Sequence, residues 1–197
     1  MIYVACNARR EASEQGLEEA VTNDKVFPML LDAVRENCED RFEGVKLEAL
    51  QAEGQRLIMA DIFARLSFLL WLYRQYEGED NVRHIDADEL LLTQLNGGRD
   101  WMVDAFISLR RAHRDTLDEP ATNCATELGR IISRQPGQGV QLHLAIDEAH
   151  VAAQHFNKTT GFHFRHLKRG GVRSILDEYV ELWRKYVPTV VIAGTGL

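Results

Sequence analysis

Val140-Gln141-Leu142-His143-Leu144-Ala145-Ile146-Asp147-Glu148-Ala149-His150 is the stretch that decides the fold. Its apolar run has the length of a buried strand, and it stops at two adjacent carboxylates. A strand of continuous apolar character belongs in a parallel sheet covered on both faces. An apolar strand tipped by Asp-Glu is the Walker B pattern: the first carboxylate holds hydrated magnesium and the second polarises the attacking water. The matching motif is missing. Nowhere do the 197 residues contain the Gly-x-x-x-x-Gly-Lys-Ser/Thr loop that binds phosphates.

Two further strands flank this one in sequence. Ile2-Tyr3-Val4-Ala5-Cys6 is a short apolar run closed by Asn7-Ala8-Arg9-Arg10, and Thr189-Val190-Val191-Ile192-Ala193 follows Pro188 and leads into Gly194-Thr195-Gly196-Leu197. Helical periodicity fills the space between the first two strands. It predicts helices over 26–38, 57–76, 86–95, 100–113 and 121–133, the third and fourth separated by Asn96-Gly97-Gly98, with Asp100 as N-cap of the fourth. Gln135-Pro136-Gly137-Gln138-Gly139 ends the series as a turn. Beyond the carboxylates, 150–171 reads as a helix start and a polar loop, and 172–186 as an amphipathic helix. The expected class is α/β: one domain over 1–197, a partial parallel sheet, a helical insertion at about 24–135, and a Walker B to sensor region at about 140–197. Chemistry in such sheets lies at the carboxyl ends of the strands, here Asn7, Asp147-Glu148 and Gly194-Thr195.

Composition narrows the function classes. The hydrophobic fraction is 45%, and no apolar run approaches the roughly 18 residues that span a bilayer, so no membrane partner is expected. A net charge of −7 argues against a broad basic face for nucleic acid. Cys6, Cys38 and Cys124 are odd in number and far apart, as in reduced, mostly buried thiols. No signal-peptide pattern opens the sequence, which reads as intracellular.

At the central strand tip, Asp147 is the candidate magnesium residue, Glu148 the candidate base, and Thr195 the candidate sensor of the γ-phosphate. The plainer alternative is that Asp147-Glu148 caps the following helix. His143, His150, His155, His163 and His166 offer a competing transition-metal reading, but His-Glu-x-x-His is absent. The basic group Arg165, His166, Lys168 and Arg169 is either a phosphate contact or a solvated loop.

Leu144-Ala145-Ile146-Asp147-Glu148-Ala149-His150, the helix Arg173-Ser174-Ile175-Leu176-Asp177-Glu178-Tyr179-Val180 and the ending Val190-Val191-Ile192-Ala193-Gly194-Thr195-Gly196-Leu197 together resemble the ATPase core of fungal Crinkler-type and retrotransposon-hot-spot-like P-loop proteins. These are relatives of the AAA+ and STAND classes. Leu90-Leu91-Leu92-Thr93-Gln94-Leu95, Asp104-Ala105-Phe106, Leu109-Arg110-Arg111 and the opening Ile2-Tyr3-Val4-Ala5-Cys6-Asn7 are also similar. The resemblance implies an additional-strand P-loop ATPase with sheet order five-one-four-three-two, binding ATP and Mg2+. Asp147 is then the Walker B magnesium residue, Glu148 the catalytic glutamate and Thr195 the sensor.

The chain departs from that pattern by lacking strand one, the phosphate loop and strand five. It is expected to be a fragment that is inactive alone. Its half-sheet, four-three-two, would leave strand 189–193 open along one edge, available to a protein partner or to self-association. A DEAH-box helicase fragment, sharing Asp147-Glu148-Ala149-His150, and a non-catalytic protein-interaction module are the other classes.

Overall fold

Three short apolar runs make one parallel sheet, and helices supply most of the other described residues. The structure, a computed structural model, describes residues 1–6, 24–76, 87–95, 97–113, 115–133, 141–147, 149–156, 162–165 and 171–194. The elements run β1 (Ile2–Ala5), α1 (Val26–Val34), a π turn (Arg35–Glu39), a 3-10 turn (Phe42–Gly44), α2 (Leu47–Tyr76), α3 (Ala87–Leu95), α4 (Gly97–Leu109) and α5 (Asp115–Ser133). Then come β2 (His143–Asp147), α6 (Ala149–Gln154), β3 (Phe164–Arg165), β4 (Val172–Arg173), α7 (Ile175–Trp183) and β5 (Thr189–Ile192). The fold is mixed α/β and mostly helical, with the five helices α1 to α5 set between the first two strands. No described helix is long and apolar enough to cross a membrane.

The sheet order is β1-β2-β5, all parallel, so the Asp-Glu strand is in the middle. Register places Ile2, Leu144 and Val190 abreast, then Tyr3, Ala145 and Val191, then Val4, Ile146 and Ile192. Residues abreast project to the same face. One face therefore carries Ile2, Val4, Leu144 and Ile146, all buried, while Tyr3, His143, Ala145 and Asp147 on the other are half-buried. Full cover on both faces was the expectation. The alternation His143-Leu144-Ala145-Ile146-Asp147 explains the difference, because it puts the two polar side chains together on the second face.

The two edges of the sheet are treated differently. Beside β1, the Gln94 side chain from α3 acts as a substitute strand: its Oε1 accepts from Tyr3 N–H at 3.1 Å and its Nε2 donates to the Met1 carbonyl at 3.1 Å. An edge satisfied in this way has less to offer another chain. On the opposite side, Val191 is 55% and Ile192 42% exposed, although they face opposite sides of the sheet. Among the described residues, no strand pairs with the outer edge of β5.

Helix α2 is the hub, packing against α1, α4, α5 and α7. Its 30 residues span about 45 Å and start ten residues before the apolar density of 57–76. Asp100 lies in the first turn of α4 rather than at its N-cap, since that helix begins at Gly97. A Cβ at Gly98 would run into the Phe68 ring, so glycine there permits close approach of α4 to α2. Helix α5 starts at Asp115 and carries Pro120 within it, six residues earlier than the periodicity indicates. Residues 172–173, expected in the last helix, pair instead with Phe164–Arg165 as an antiparallel ladder. Helix α7 starts only after Ser174, whose hydroxyl accepts from Asp177 N–H while Asp177 accepts from Ser174 N–H in a capping box. The turn at 135–139 lies outside the described residues.

A charged cluster is embedded in this apolar frame. Arg65 and Asp61, one turn apart on α2, are 1% and 0% exposed. Arg65 Nε reaches Asp61 Oδ1 at 2.9 Å, Nη2 reaches Asp24 Oδ2 at 2.8 Å, and Nη1 donates to the Tyr3 carbonyl at 3.2 Å. Asp61 also accepts from the Tyr179 hydroxyl of α7. Asp24 in turn accepts from Val26 N–H at 3.0 Å and Phe27 N–H at 3.2 Å, capping the first turn of α1. Burial acts against the Arg65 charge, yet Asp24 and Asp61 outweigh it and hold the guanidinium protonated. Burial likewise pushes the Asp61 carboxyl up against the pull of Arg65.

Removing one member of a buried ion cluster strands the others without a counter-charge, which costs about 3–5 kcal/mol. Arg65→Met is therefore expected to destabilise the protein by about that amount in urea unfolding, and Asp61→Asn in the same background to recover part of the loss. A stability within about 1 kcal/mol of the parent for Arg65→Met would contradict this role.

Candidate functional site

The carboxyl ends of the three strands are stitched together. Cys6 N–H donates to the Asp147 carbonyl at 3.0 Å, Ala193 N–H to the Ile146 carbonyl at 2.8 Å, and Ala149 N–H to the Ala193 carbonyl at 2.9 Å. The last of these bonds draws the start of α6 onto the end of β5. Asp147 is thus the final residue of the middle strand, half-buried, with its main chain tied to β1. Glu148, Thr195 and Asn7, expected beside it, lie outside the described residues.

The Asp147 carboxylate reaches across the sheet. Its Oδ2 accepts from the Tyr3 hydroxyl at 2.9 Å. Tyr3 shares a face with Asp147 and stands two residues before its register partner Ala5, a diagonal of roughly 7–8 Å that an aromatic side chain can bridge. Burial pushes the Tyr3 phenol well above its ordinary value, and the hydrogen bond and charge of Asp147 push it further, with Asp24 and Cys6 adding to the effect. Tyr3 therefore stays a neutral donor to the carboxylate. The Cys6 thiol at the end of β1 is also pushed up, first by burial and then by Asp24, and is no nucleophile at neutral pH. All three cysteines are free thiols, Cys6 and Cys38 buried and Cys124 half-buried.

A carboxylate at a strand end fits a magnesium ion, which keeps several waters and accepts one or two protein carboxylates. The Tyr3 hydroxyl is one hydrogen-bond partner of this carboxyl group. Among the described residues no group of three or more His, Cys, Asp or Glu side chains is arranged to hold a metal. His143 shares a face with Asp147 but sits four residues back along β2, about 13 Å away. His150 is in the first turn of α6. His155 is half-buried just beyond that helix, and burial, with Arg35, lowers its pKa. His163 is buried, its Nε2 accepting from Arg165 Nε at 3.4 Å and its carbonyl from Gln51 Nε2 at 3.3 Å. Arg165 is exposed; His166, Lys168 and Arg169 lie outside the described residues.

Sequence reasoning missed the residues that support Asp147: Tyr3, Gln94, Arg65, Asp61 and Asp24. One signal was present. Asp61 and Arg65 stand i, i+4 inside a helix apolar on more than one face, where no solvent side exists to receive them.

No protein-family model matches the chain, and no curated protein or solved structure matches it at a significant level.

A raised tyrosine pKa means that the neutral form is the one folding stabilises. Stability from Tyr3 is fully present below the unfolded value of about 10 and is lost as pH rises through the higher folded value. Tyr3→Phe removes this term, so the loss of stability above pH about 10 should be shallower in that variant than in the parent, read from urea midpoints against pH. Parallel profiles would show that Tyr3 ionises as freely in the folded chain as in the unfolded one.

Proposed function

We propose that the end of β2 is the magnesium-holding and water-activating half of an ATP-hydrolysing site of the additional-strand P-loop type. The observation that carries this reading is Asp147 itself: a hydrogen-bonded carboxylate at the carboxyl end of the middle strand of a parallel sheet. The sheet order gives further support. In the P-loop reading β1, β2 and β5 are strands two, three and four, and the next strand would join at the outer edge of β5, where no strand pairs among the described residues.

The roles follow from the chemistry. Asp147 accepts the hydrated ion, Glu148 takes a proton from the attacking water at its carboxylate, and the Thr195 hydroxyl donates to the γ-phosphate. Magnesium, when bound, neutralises charge on the phosphate oxygens. Phosphoryl transfer depends almost wholly on positioning and charge stabilisation, and the chain's 197 residues hold no Gly-x-x-x-x-Gly-Lys-Ser/Thr to cradle the β- and γ-phosphates. The half-site therefore needs a phosphate-binding segment joined at the edge of β5. That same apolar edge favours a second reading, a non-catalytic module whose open strand pairs with another protein.

Purified as it stands, the chain should hydrolyse ATP no faster than background. A longer form carrying an in-frame phosphate loop should show Mg2+-dependent turnover, and Glu148→Gln should lower that turnover by about 100-fold or more. Magnesium-dependent turnover by the present chain that Glu148→Gln abolishes would sink the half-site reading. Failure of the longer form to bind nucleotide would favour the interaction module.

A further inference from the structure

We infer that the outer edge of β5 pairs with β5 of a second copy of this chain, antiparallel about a two-fold axis at Val191. The inference concerns the sheet edge alone and goes beyond both readings of the strand end.

In a parallel ladder, every second residue turns both of its backbone groups toward the neighbouring strand. Ala193 does so here: its N–H donates to the Ile146 carbonyl at 2.8 Å, and its carbonyl accepts from Ala149 N–H at 2.9 Å. Alternation then turns the backbone groups of Val190 and Ile192 outward, away from β2. Among the described residues no strand meets them. The side chains share this exposure: Thr189, Val191, Ile192 and Ala193 are exposed, and Val190 is half-buried.

Three features fit a second copy. The first is charge. Natural edges are guarded by lysine or proline within the strand, and β5, Thr-Val-Val-Ile, has neither. From Val187 to Gly194 no side chain is charged, so a chain of net charge −7 meets its own copy through a neutral stretch and offers nothing there to steer an oppositely charged partner. The second is self-complementarity. With Val191 opposite its own counterpart on one face, Val190 stands opposite the counterpart of Ile192 on the other, and their outward backbone groups exchange both N–H···O bonds. Sliding the register by two residues sets Ile192 against Pro188 or Val190 against Gly194 and leaves apolar side chains uncovered. The third is closure. At the opposite edge of the sheet, Gln94 and Arg65 bond the outward N–H and C=O of Tyr3 at 3.1 and 3.2 Å, so the joined sheet ends in guarded edges and the assembly stops at two.

A four-residue strand is small beside the roughly 800 Å2 that each partner gives to a standard interface, so the dimer exchanges with monomer. Sedimentation velocity on the purified chain from about 1 μM to about 1 mM covers the dissociation constants of such pairs. The parent should pass from the 22.5 kDa monomer toward twice that mass as concentration rises. Val191→Lys sets like charges directly opposite each other at a position 55% exposed, so it should weaken the dimer by about tenfold or more while keeping the parent's far-ultraviolet circular dichroism. Val191→Cys tests the register. Opposite residues in a pair without hydrogen bonds have Cα atoms about 4.5 Å apart, within disulfide range, so mild oxidation should link two chains to an extent that the parent, with its own three cysteines, does not reach. A parent that stays monomeric across the range would overturn the inference, as would a dimer unmoved by Val191→Lys or growth into larger assemblies. Should Val191→Lys fail to fold, Val191→Cys decides: cross-linking no greater than in the parent would overturn the inference. None of these outcomes bears on ATP hydrolysis, which the longer form tests separately.

Discussion

Arg65 is the constraint on which the rest of this structure depends. A guanidinium at 1% exposure survives only if its charge and donors are met, and here they are met from three directions: Asp61 on its own helix, Asp24 before α1, and the Tyr3 carbonyl on β1. Two carboxyl groups face this one guanidinium, an excess of acid over base. The N–H groups of Val26 and Phe27 at the start of α1 point at Asp24, and Tyr179 donates to Asp61, so part of that excess is absorbed by fixed dipoles. Apolar packing would hold these elements together without specifying their relative placement. The ion cluster ties α1, α2, α7 and β1 to one another through directional bonds.

A consequence is the asymmetry of the sheet. The edge near the cluster is closed, since Arg65 and Gln94 take the outward backbone groups of Tyr3. On the other side, Val191 and Ile192 of β5 are exposed on opposite faces. Sheets grow where their edges are open. A strand added to the described sheet would therefore extend it past β5.

Much of this architecture is legible in the sequence. Three apolar runs with Pro188, Asn7 and Asp147 at their ends give three strands, and the connections, five helices long and then two, allow parallel pairing throughout. Faces are also readable once strand alternation is applied, as His143 and Asp147 illustrate. The short β3–β4 ladder is not, because two-residue strands have no periodicity to detect. Nor is the support of the candidate site. Tyr3 and Asp147 are 144 residues apart, Tyr179 and Asp61 118, and Arg65 and Asp24 41, and each residue alone resembles an ordinary half-buried polar position. What sequence does show is the anomaly of an Asp and an Arg inside an apolar helix, which indicates a buried cluster without naming its partners.

The candidate site and the core are accordingly parts of one arrangement. An Asp at a strand end is common, and by itself it caps a helix as readily as it binds an ion. Here the carboxylate is tied to Tyr3, the Tyr3 backbone to Arg65 and Gln94, and Arg65 to two buried acids, so a chain of hydrogen bonds through Tyr3 links the half-buried end of β2 to the centre of α2. Surface capping requires no such depth. The Asp147 carboxyl group is bonded to a tyrosine whose backbone is itself held by α2 and α3, so its orientation is constrained by several elements of the fold.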